Sequence, residues 1–126
     1  MSEATTRDIR VIVQSQYLPA QSDPPHCWFF VYQVTIDNLS QDPVQLLSRE
    51  WVITDGEGHT ERVRGPGVVG QQPRIDPGET FQYVSGCPLS TPIGTMGGNY
   101  TMRLDNGDTF AATIGTFVLK DPMSMN

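Results

Sequence analysis

The residues best suited to chemistry lie in one segment rich in glycine, proline and arginine, residues 62–79. Three of its glycines have the spacing of the G-x-G-x-x-G fingerprint, with which a strand-to-helix turn binds the pyrophosphate of a dinucleotide. Exposed loop amides can hold an anion in this way, and nearby arginines would supply positive charge. We therefore select six candidate residues for an anion or partner site: Arg62, Arg64, Gly65, Gly67, Gly70 and Arg74.

The same glycine-rich loop has a second interpretation that involves no ligand. The fingerprint requires a long helix after the glycines, which Gln71-Gln72-Pro73 cannot open, and Pro66 removes an amide donor from the loop. The glycines would then let an edge segment cross tightly between two sheets. The arginines would be solvated or paired with nearby acidic residues, namely Glu61, Asp76 and Glu79.

Two further groups of residues could supply metal ligands, but neither has the spacing of a known site. A calcium loop that starts at Asp55 would need glycine and glutamate where the chain has Thr60 and Pro66. A zinc site would need CxxC or HxxxH spacing, and neither occurs. We expect no resident metal and no cofactor. The groups considered are Asp55, Glu57, His59 and Glu61 for the first, and His26, Cys27, His59 and Cys87 for the second.

No pattern typical of a catalytic centre is present, and we predict that the chain is not an enzyme. The nucleophile motif G-x-S-x-G is absent. His26 and Cys27 are adjacent, so on a strand their side chains would point to opposite faces. Cys27 and Cys87 have the separation of an immunoglobulin core disulfide, but the N-terminus has no secretory signal, so we expect two reduced thiols.

Length and charge restrict the class of protein. A chain of 126 residues predicts a single domain over residues 1–126, with an ordered core at about residues 8–120 and frayed termini. The 8 basic and 14 acidic residues give a net charge of -6, which argues against binding to duplex nucleic acid. Apolar runs are too short to insert into a membrane, so we expect a cytoplasmic protein.

The candidate residues are positioned by a series of predicted strands. The clearest strand runs from Phe30 to Ile36, where apolar residues alternate on one face. In the next strand the apolar parity switches near Leu46, which predicts either a β-bulge or a change of sheet partner there. The segment Asp55–Gly58 and the pair Asn106-Gly107 predict hairpins, the second with a type I′ turn. Seven to eight short strands without helical periodicity predict an all-β fold, an antiparallel β-sandwich.

Several stretches, taken together, resemble the ApaG family over nearly the whole chain, from about Ile9 to about Leu119. The resemblance implies a fibronectin type III-like or immunoglobulin-like β-sandwich, in agreement with the strand pattern. The stretches are Leu46-Leu47-Ser48-Arg49-Glu50-Trp51-Val52-Ile53-Thr54-Asp55, Val63-Arg64-Gly65-Pro66-Gly67-Val68-Val69-Gly70-Gln71-Gln72-Pro73, Pro77-Gly78-Glu79, Tyr83-Val84-Ser85-Gly86 and Gly94-Thr95-Met96-Gly97-Gly98-Asn99-Tyr100.

The resemblance also implies a range of functions. The family is linked to cobalt resistance and magnesium efflux in bacteria, and its domain is appended to F-box proteins and to a DNA polymerase-interacting protein, which implies protein binding. We therefore predict a non-catalytic protein-interaction module with an unidentified protein partner. The alternative is a pyrophosphate or nucleotide sensor that uses the loop from Gly65 to Gly70, as the glycine motif has prompted for the family. A third hypothesis is direct binding of cobalt or magnesium at Asp55 and Glu57, and edge strands would also allow a homodimer.

Overall fold

Within residues 1–124, the part of the chain that this computed structural model describes, there are nine β-strands and two short 3₁₀ turns. The turns are Pro19–Gln21 and Pro122–Ser124. The strands are β1 (Ser2–Thr6), β2 (Ile9–Tyr17), β3 (Trp28–Asn38), β4 (Val44–Asp55), β5 (Thr60–Pro66), β6 (Arg74–Ile75), β7 (Thr80–Leu89), β8 (Ile93–Leu104) and β9 (Thr109–Lys120).

The strands form two sheets, and every strand pair is antiparallel. The first sheet has the order β1-β2-β3-β7 and the second has the order β5-β4-β8-β9. Strand β6 pairs with β4 beyond the end of β5. The predicted fold class, an antiparallel β-sandwich, is therefore confirmed, and the architecture is consistent with a fibronectin type III-like domain. The strands β1 and β6 are additional to those that the sequence pattern predicted.

The chain termini differ from the prediction of frayed ends. Residues Ser2–Thr6 form β1 and pair with β2, so the first sheet begins before residue 8. Residues Pro122–Ser124 form a 3₁₀ turn after β9. The remainder of the predicted frayed tail, residues 125–126, lies outside the described residues.

The core lies between the two sheets and follows the alternation of the strands. In β3 the side chains of Phe30, Tyr32, Val34 and Ile36 are all buried, as predicted. Trp51 of β4 faces them from the second sheet, with its ring centroid 5.2 Å from that of Tyr32. Inward-facing residues of β4 therefore lie beside the core aromatics.

The predicted β-bulge in β4 is confirmed. Pairing of β4 with β8 shifts register between Leu46 and Ser48. Before the shift Leu46 is buried, and after it Trp51 is buried, so the bulge changes which residue parity faces the core. As a result Arg49 has the inward parity of Trp51, while Glu50 has the outward parity.

Both predicted hairpins are present, but the turn type at Asn106-Gly107 was wrong. Gly107 has a φ of 94°, whereas Asn106 keeps a negative φ, so this is a type I turn followed by a glycine bulge. The loop has three residues because the Leu104 amide donates to Asp108 O at 2.8 Å. Positive φ at both central residues occurs instead at Arg7 and Asp8, between β1 and β2.

Asp37 ties three strands together on the outer face of the first sheet. Arg10 of β2 donates to Asp37 Oδ2 from Nη2 at 2.7 Å and from Nε at 3.0 Å. Thr80 of β7 donates to Oδ1 of the same carboxylate at 2.6 Å. The Thr80 hydrogen bond, followed by the Arg10 guanidinium, lowers the pKa of Asp37.

The two lateral sides of the sandwich differ. On one side β9 packs against β1 and β2. There the Thr113 amide donates to Thr6 Oγ1 at 3.0 Å, and Ser15 Oγ donates to Val118 O at 3.3 Å. On the other side the edge strands are β5 and β7, one from each sheet. The sandwich is closed on the first side and leaves a groove on the second.

Candidate functional site

A groove of about 460 Å³ lies between the edge strands β5 and β7. We call it the β5–β7 groove. A smaller cavity of about 370 Å³ shares part of this lining and continues to Val68, Val69 and Gly70. The open side of the sandwich thus carries one continuous depression. The lining of the β5–β7 groove includes Tyr32, Arg49, Trp51, Glu61, Val63, Ser85 and Leu89.

The floor of the β5–β7 groove is aromatic and its walls are partly apolar. Tyr32 and Trp51 are core residues whose edges reach the groove. Val63 of β5 pairs with Trp51 and is half-buried. Leu89 of β7 lines the opposite wall. Such a surface can take an apolar side chain between the two edge strands.

Arg49 is the charged residue on this floor, and it is half-buried. Its Nη1 donates to Pro66 O at 3.0 Å and to Gly67 O at 2.9 Å, which anchors the start of the glycine-rich loop. No carboxylate of the described residues lies within 4.0 Å of its guanidinium. The Nε and Nη2 donors therefore keep bonding capacity, and Arg49 lines both cavities.

Gly65 makes room for this guanidinium. It pairs with Arg49 across β4 and β5. A Cβ at Gly65 would lie 2.9 Å from Arg49 Nη2, inside normal contact distance. The predicted site residue Gly65 thus lies in the candidate site, but its role there is to let Arg49 lie flat over β5 rather than to bind through its amide.

The other two glycines form what we call the glycine turn, residues 67–71. Val69 and Gly70 have φ of 44° and 78°, and the backbones of Val68 and Gln71 exchange two hydrogen bonds of 2.8 Å. The Gly67 amide donates to Leu47 O at 2.9 Å. In this turn the amides of Gly67, Val68 and Gln71 are consumed by backbone acceptors, which leaves those of Val69 and Gly70 for a ligand. No helix follows the turn within the described residues, so the second half of the dinucleotide fingerprint is missing.

The three predicted arginines do not converge on the glycine turn. Arg62 and Arg64 lie on the outer face of β5 and both pair with Glu50, Arg62 Nη1 at 3.7 Å from Glu50 Oε1 and Arg64 through its Nε. Arg74 lies near the other end of β4 and binds Asp105 through two hydrogen bonds of 2.7 and 3.0 Å. That pairing lowers the pKa of Asp105.

Arg49 was missed by the sequence reasoning, although a signal was available. Trp51 and Ile53 set the apolar parity after the bulge, and Arg49 shares that parity. A charged residue on the apolar face of a strand must be paired, solvated in a cavity, or functional. Arg62, Arg64 and Arg74 were predicted as site residues because they are close to the glycines in the sequence, and the face of the strand on which they lie was not considered.

The far end of the β5–β7 groove is acidic. Asp55 Oδ1 accepts the amides of Glu57 and His59 at 2.9 and 3.0 Å, so this carboxylate stabilises the β4–β5 hairpin. Burial raises the pKa of Asp55, but these two amides and the His59 imidazole outweigh it and leave the pKa lowered. Glu61 faces inward from β5 and has no cationic partner within 4.0 Å among residues 1–124.

The residues considered as metal ligands do not form a metal site in the described part of the chain. No group of three or more His, Cys, Asp or Glu residues there could hold a metal ion. His59 Nδ1 lies 3.4 Å from Asp55 Oδ2 and 3.8 Å from Glu57 Oε2. The other oxygen of Asp55, Oδ1, already accepts a backbone amide of the hairpin turn. Cys27 and Cys87 are free thiols.

Three buried tyrosines lie near Arg49, and the buried Cys87 thiol belongs to the lining of the same groove. Tyr83 and Tyr100 share a hydrogen bond between their hydroxyl groups. Burial raises the pKa of Tyr83, Tyr100 and Tyr32, and the Arg49 charge lowers each of these values in part. Burial also raises the pKa of Cys87 to about 11, so this thiol is protonated and weakly nucleophilic at neutral pH. The arrangement is suited to binding an anionic group rather than to covalent chemistry.

Comparison with known proteins identifies the family. The chain matches the ApaG domain over residues 19–104. It is 55% identical over 123 residues to Protein ApaG of Mesorhizobium japonicum, which covers 97% of this chain and 95% of that protein. It is 50% identical over 120 residues to Protein ApaG of Bordetella pertussis, covering 94% of this chain and 92% of that protein.

A solved structure agrees with these relatives. The crystal structure of an ApaA protein from Bordetella pertussis superposes with a TM-score of 0.88 at 50% identity, covering 94% of this chain and 97% of that chain. The helical segments among residues 1–124 are two three-residue 3₁₀ turns, neither of which could span a membrane. From the match along most of its length, in sequence and in fold, the chain belongs to the ApaG family.

Proposed function

We propose that this chain is a non-catalytic protein-interaction module of the cytoplasm, which binds a segment of a partner protein in the β5–β7 groove. The observation that carries the proposal is the groove itself, which is bordered by two edge strands and contains the Arg49 guanidinium, without a carboxylate partner among residues 1–124. Through that partner the chain acts in cobalt and magnesium homeostasis, as the family resemblance implies.

The physical chemistry of the groove favours a polypeptide ligand. Edge strands present unpaired backbone amides and carbonyls, to which an extended segment can add as a further strand. Tyr, Trp and Arg are the residue types that contribute most to protein interfaces, and Tyr32, Trp51 and Arg49 all reach this surface. The apolar contact at Val63 and Leu89 would supply the burial that backbone hydrogen bonds alone lack.

An effect on divalent cations would be indirect in this proposal. The carboxylate of Asp55 is occupied by two amides of its own hairpin. No group of three or more His, Cys, Asp or Glu residues in the described part of the chain could hold a metal ion. We therefore assign the metal chemistry to the partner and the recognition to this chain.

Site-specific photocrosslinking in cells tests the proposal. A benzoylphenylalanine at position 63 in the β5–β7 groove should give a discrete adduct with one protein, and the same residue at position 118 on the closed side should not. In a strain that lacks the chromosomal gene, Val63→Asp should fail to restore cobalt tolerance, whereas Val118→Asp should restore it. Equal behaviour at the two positions, with both variants folded by circular dichroism, would contradict a groove-dependent function.

A second candidate function, binding of pyrophosphate or a nucleotide, is favoured by the free donors of Arg49 beside the glycine turn. The anion would lie in the cavity that joins Arg49 to Gly70 and take the remaining amides of Val69 and Gly70. An NMR titration with magnesium pyrophosphate should then shift these two amides in a saturable way. Arg49→Gln should abolish the shifts and Arg74→Gln should leave them unchanged, while silence in the wild type rejects this candidate.

A further inference from the structure

The β5–β7 groove has a positive end and a negative end, and neither charge has an ionic partner among residues 1–124. Arg49 lies at one end and Glu61 at the other. We propose that the groove recognises an extended segment of a partner protein in which an acidic residue and a basic residue have three residues between them, the middle one apolar. This inference rests on the proposed function and specifies the chemistry of the occupant.

The spacing of the two charges follows from the strand register. Arg49 pairs with Gly65, and Glu61 lies four residues before Gly65 on β5. Because an extended strand rises about 3.3 Å per residue, the two positions are about 13 Å apart along β5. An even separation also places both on the inward face, so an extended ligand with charges at positions i and i+4 would match both ends.

The middle of the groove is apolar. Val63 lies midway between Glu61 and Gly65 and pairs with Trp51. Leu89 faces them from β7. Residue i+2 of the ligand would meet this surface, which gives the pattern acidic–x–apolar–x–basic, read in one chain direction or the other. The acidic residue would lie against Arg49 and the basic residue against Glu61.

The charge pattern disfavours other occupants. A polyanion such as pyrophosphate would gain from Arg49, but Glu61 and the nearby Asp55 would repel it. A polycation would meet the reverse arrangement. A dipolar segment satisfies both ends at once, and such charge complementarity contributes to specificity more than to raw affinity.

Selection of peptides on the wild-type protein and on two variants tests the inference. Random 12-residue peptides displayed on phage are selected against the immobilised full chain, and phage that also bind Val63→Asp are removed. We expect enrichment of acidic–x–apolar–x–basic. Selection on Glu61→Lys should replace the basic position by an acidic one, and selection on Arg49→Gln should lose the preference for the acidic position.

The affinities of synthetic peptides with reversed charges measure the contribution of Glu61. Reversing the basic residue of an enriched peptide should weaken its binding to the wild type by about tenfold or more and strengthen its binding to Glu61→Lys by a similar factor. Glu61 is exposed and has no ion pair or side-chain hydrogen bond among residues 1–124, so this variant should fold normally. It therefore remains informative even if Arg49→Gln loosens the glycine turn.

The outcomes separate the inference from the proposed function. Groove-dependent peptides whose charges do not respond to Glu61→Lys would overturn the inference and leave a peptide-binding groove. If inorganic pyrophosphate displaces the peptides and Glu61→Lys has no effect on their binding, the inference is overturned in favour of an anion. If the free protein dimerises and Val63→Asp abolishes the dimer, the inference is overturned in favour of a second copy of the chain. Failure to enrich any peptide that Val63→Asp rejects would count against both.

Discussion

Val69 occupies a backbone conformation that suits valine poorly, and its replacement should stabilise the protein. Its φ of 44° is in the left-handed region, which β-branched residues rarely adopt. Its side chain is 54% exposed, so little burial offsets the strain. With Gly70 it forms the centre of a two-residue turn, for which Asn-Gly is a favoured pair. Val69→Asn should therefore relieve strain without leaving a cavity.

The expected gain is about 1 kcal/mol in the free energy of unfolding. A left-handed conformation costs a non-glycine residue about 1–2 kcal/mol, and Asn avoids part of this cost because its side chain tolerates that region. With an entropy of unfolding of about 2.1 cal/mol/K per residue, a chain of 126 residues loses about 0.26 kcal/mol of stability per degree near its midpoint. The melting temperature should rise by about 4 °C.

Thermal unfolding followed by circular dichroism, together with urea unfolding, measures this change. The matched control is Val84→Asn, because Val84 is 56% exposed but lies in the middle of β7 with an extended backbone. Asparagine is disfavoured in strands, so the control should be neutral or destabilising. If Val69→Asn does not raise the midpoint, or if Val84→Asn raises it equally, the strain argument is wrong.

Three further predictions concern other parts of the fold. Gly67→Ala should cost more than about 2 kcal/mol, because its φ is 60° and the added Cβ would clash with the backbone oxygen of Gln71. Gly65→Ala meets only the movable Arg49 guanidinium and should cost less than about 1 kcal/mol, with both costs measured by urea unfolding. The Thr80 hydroxyl and the Arg10 guanidinium lower the pKa of Asp37. The stability that this carboxylate contributes is therefore fully present above the ordinary aspartate pKa, and it is lost as the pH falls through the lowered pKa. Asp37→Asn should thus cost about 1 kcal/mol at about pH 7 and almost nothing in strong acid, as unfolding at the two pH values would measure. With its pKa raised to about 11, the buried Cys87 thiol should resist iodoacetamide at about pH 8 until urea unfolds the chain. Because Cys27 is a second, half-buried thiol, the label is located by peptide mass spectrometry, and rapid labelling of Cys87 in the native protein would contradict its burial.

The sequence predicted those features of the fold that depend on local periodicity. The alternation of apolar residues in β3 predicted which side chains are buried, because successive side chains of a strand point to opposite faces of the sheet. The parity switch near Leu46 predicted a β-bulge or a change of sheet partner, and the bulge is present because an extra residue there moves the apolar set from one face to the other. These inferences require no knowledge of the neighbouring strands.

The turns were harder to predict because loop length depends on the strand register. Asn106-Gly107 has the composition of a type I′ turn, but pairing of Leu104 with Asp108 makes a three-residue loop in which only the glycine is left-handed. Arg7-Asp8 forms a tight turn with two positive φ values although its composition gives no such signal. There the pairing of β1 with β2 imposes the geometry on the residues.

The candidate site was predicted in part. Gly65, Gly67 and Gly70 do lie beside the open side of the sandwich, and the absence of a helix after them was anticipated from Gln71-Gln72-Pro73. The loop is contacted by Arg49 of β4, which lies 17 and 18 residues before the two carbonyls that it binds. Such a contact depends on the register of β4 with β5, which short-range patterns do not contain.

The asymmetry of the two lateral sides bears on how the domain can be joined to other polypeptides. Strand β1 and strand β9 both lie at the closed side, where the first and second sheets meet. A tag, linker or further domain attached before β1 or after β9 would therefore leave from the side opposite the β5–β7 groove. The domain could be joined to a larger protein, or tethered to a sensor surface, through either end while the groove proposed to bind a partner is directed away from the attachment point.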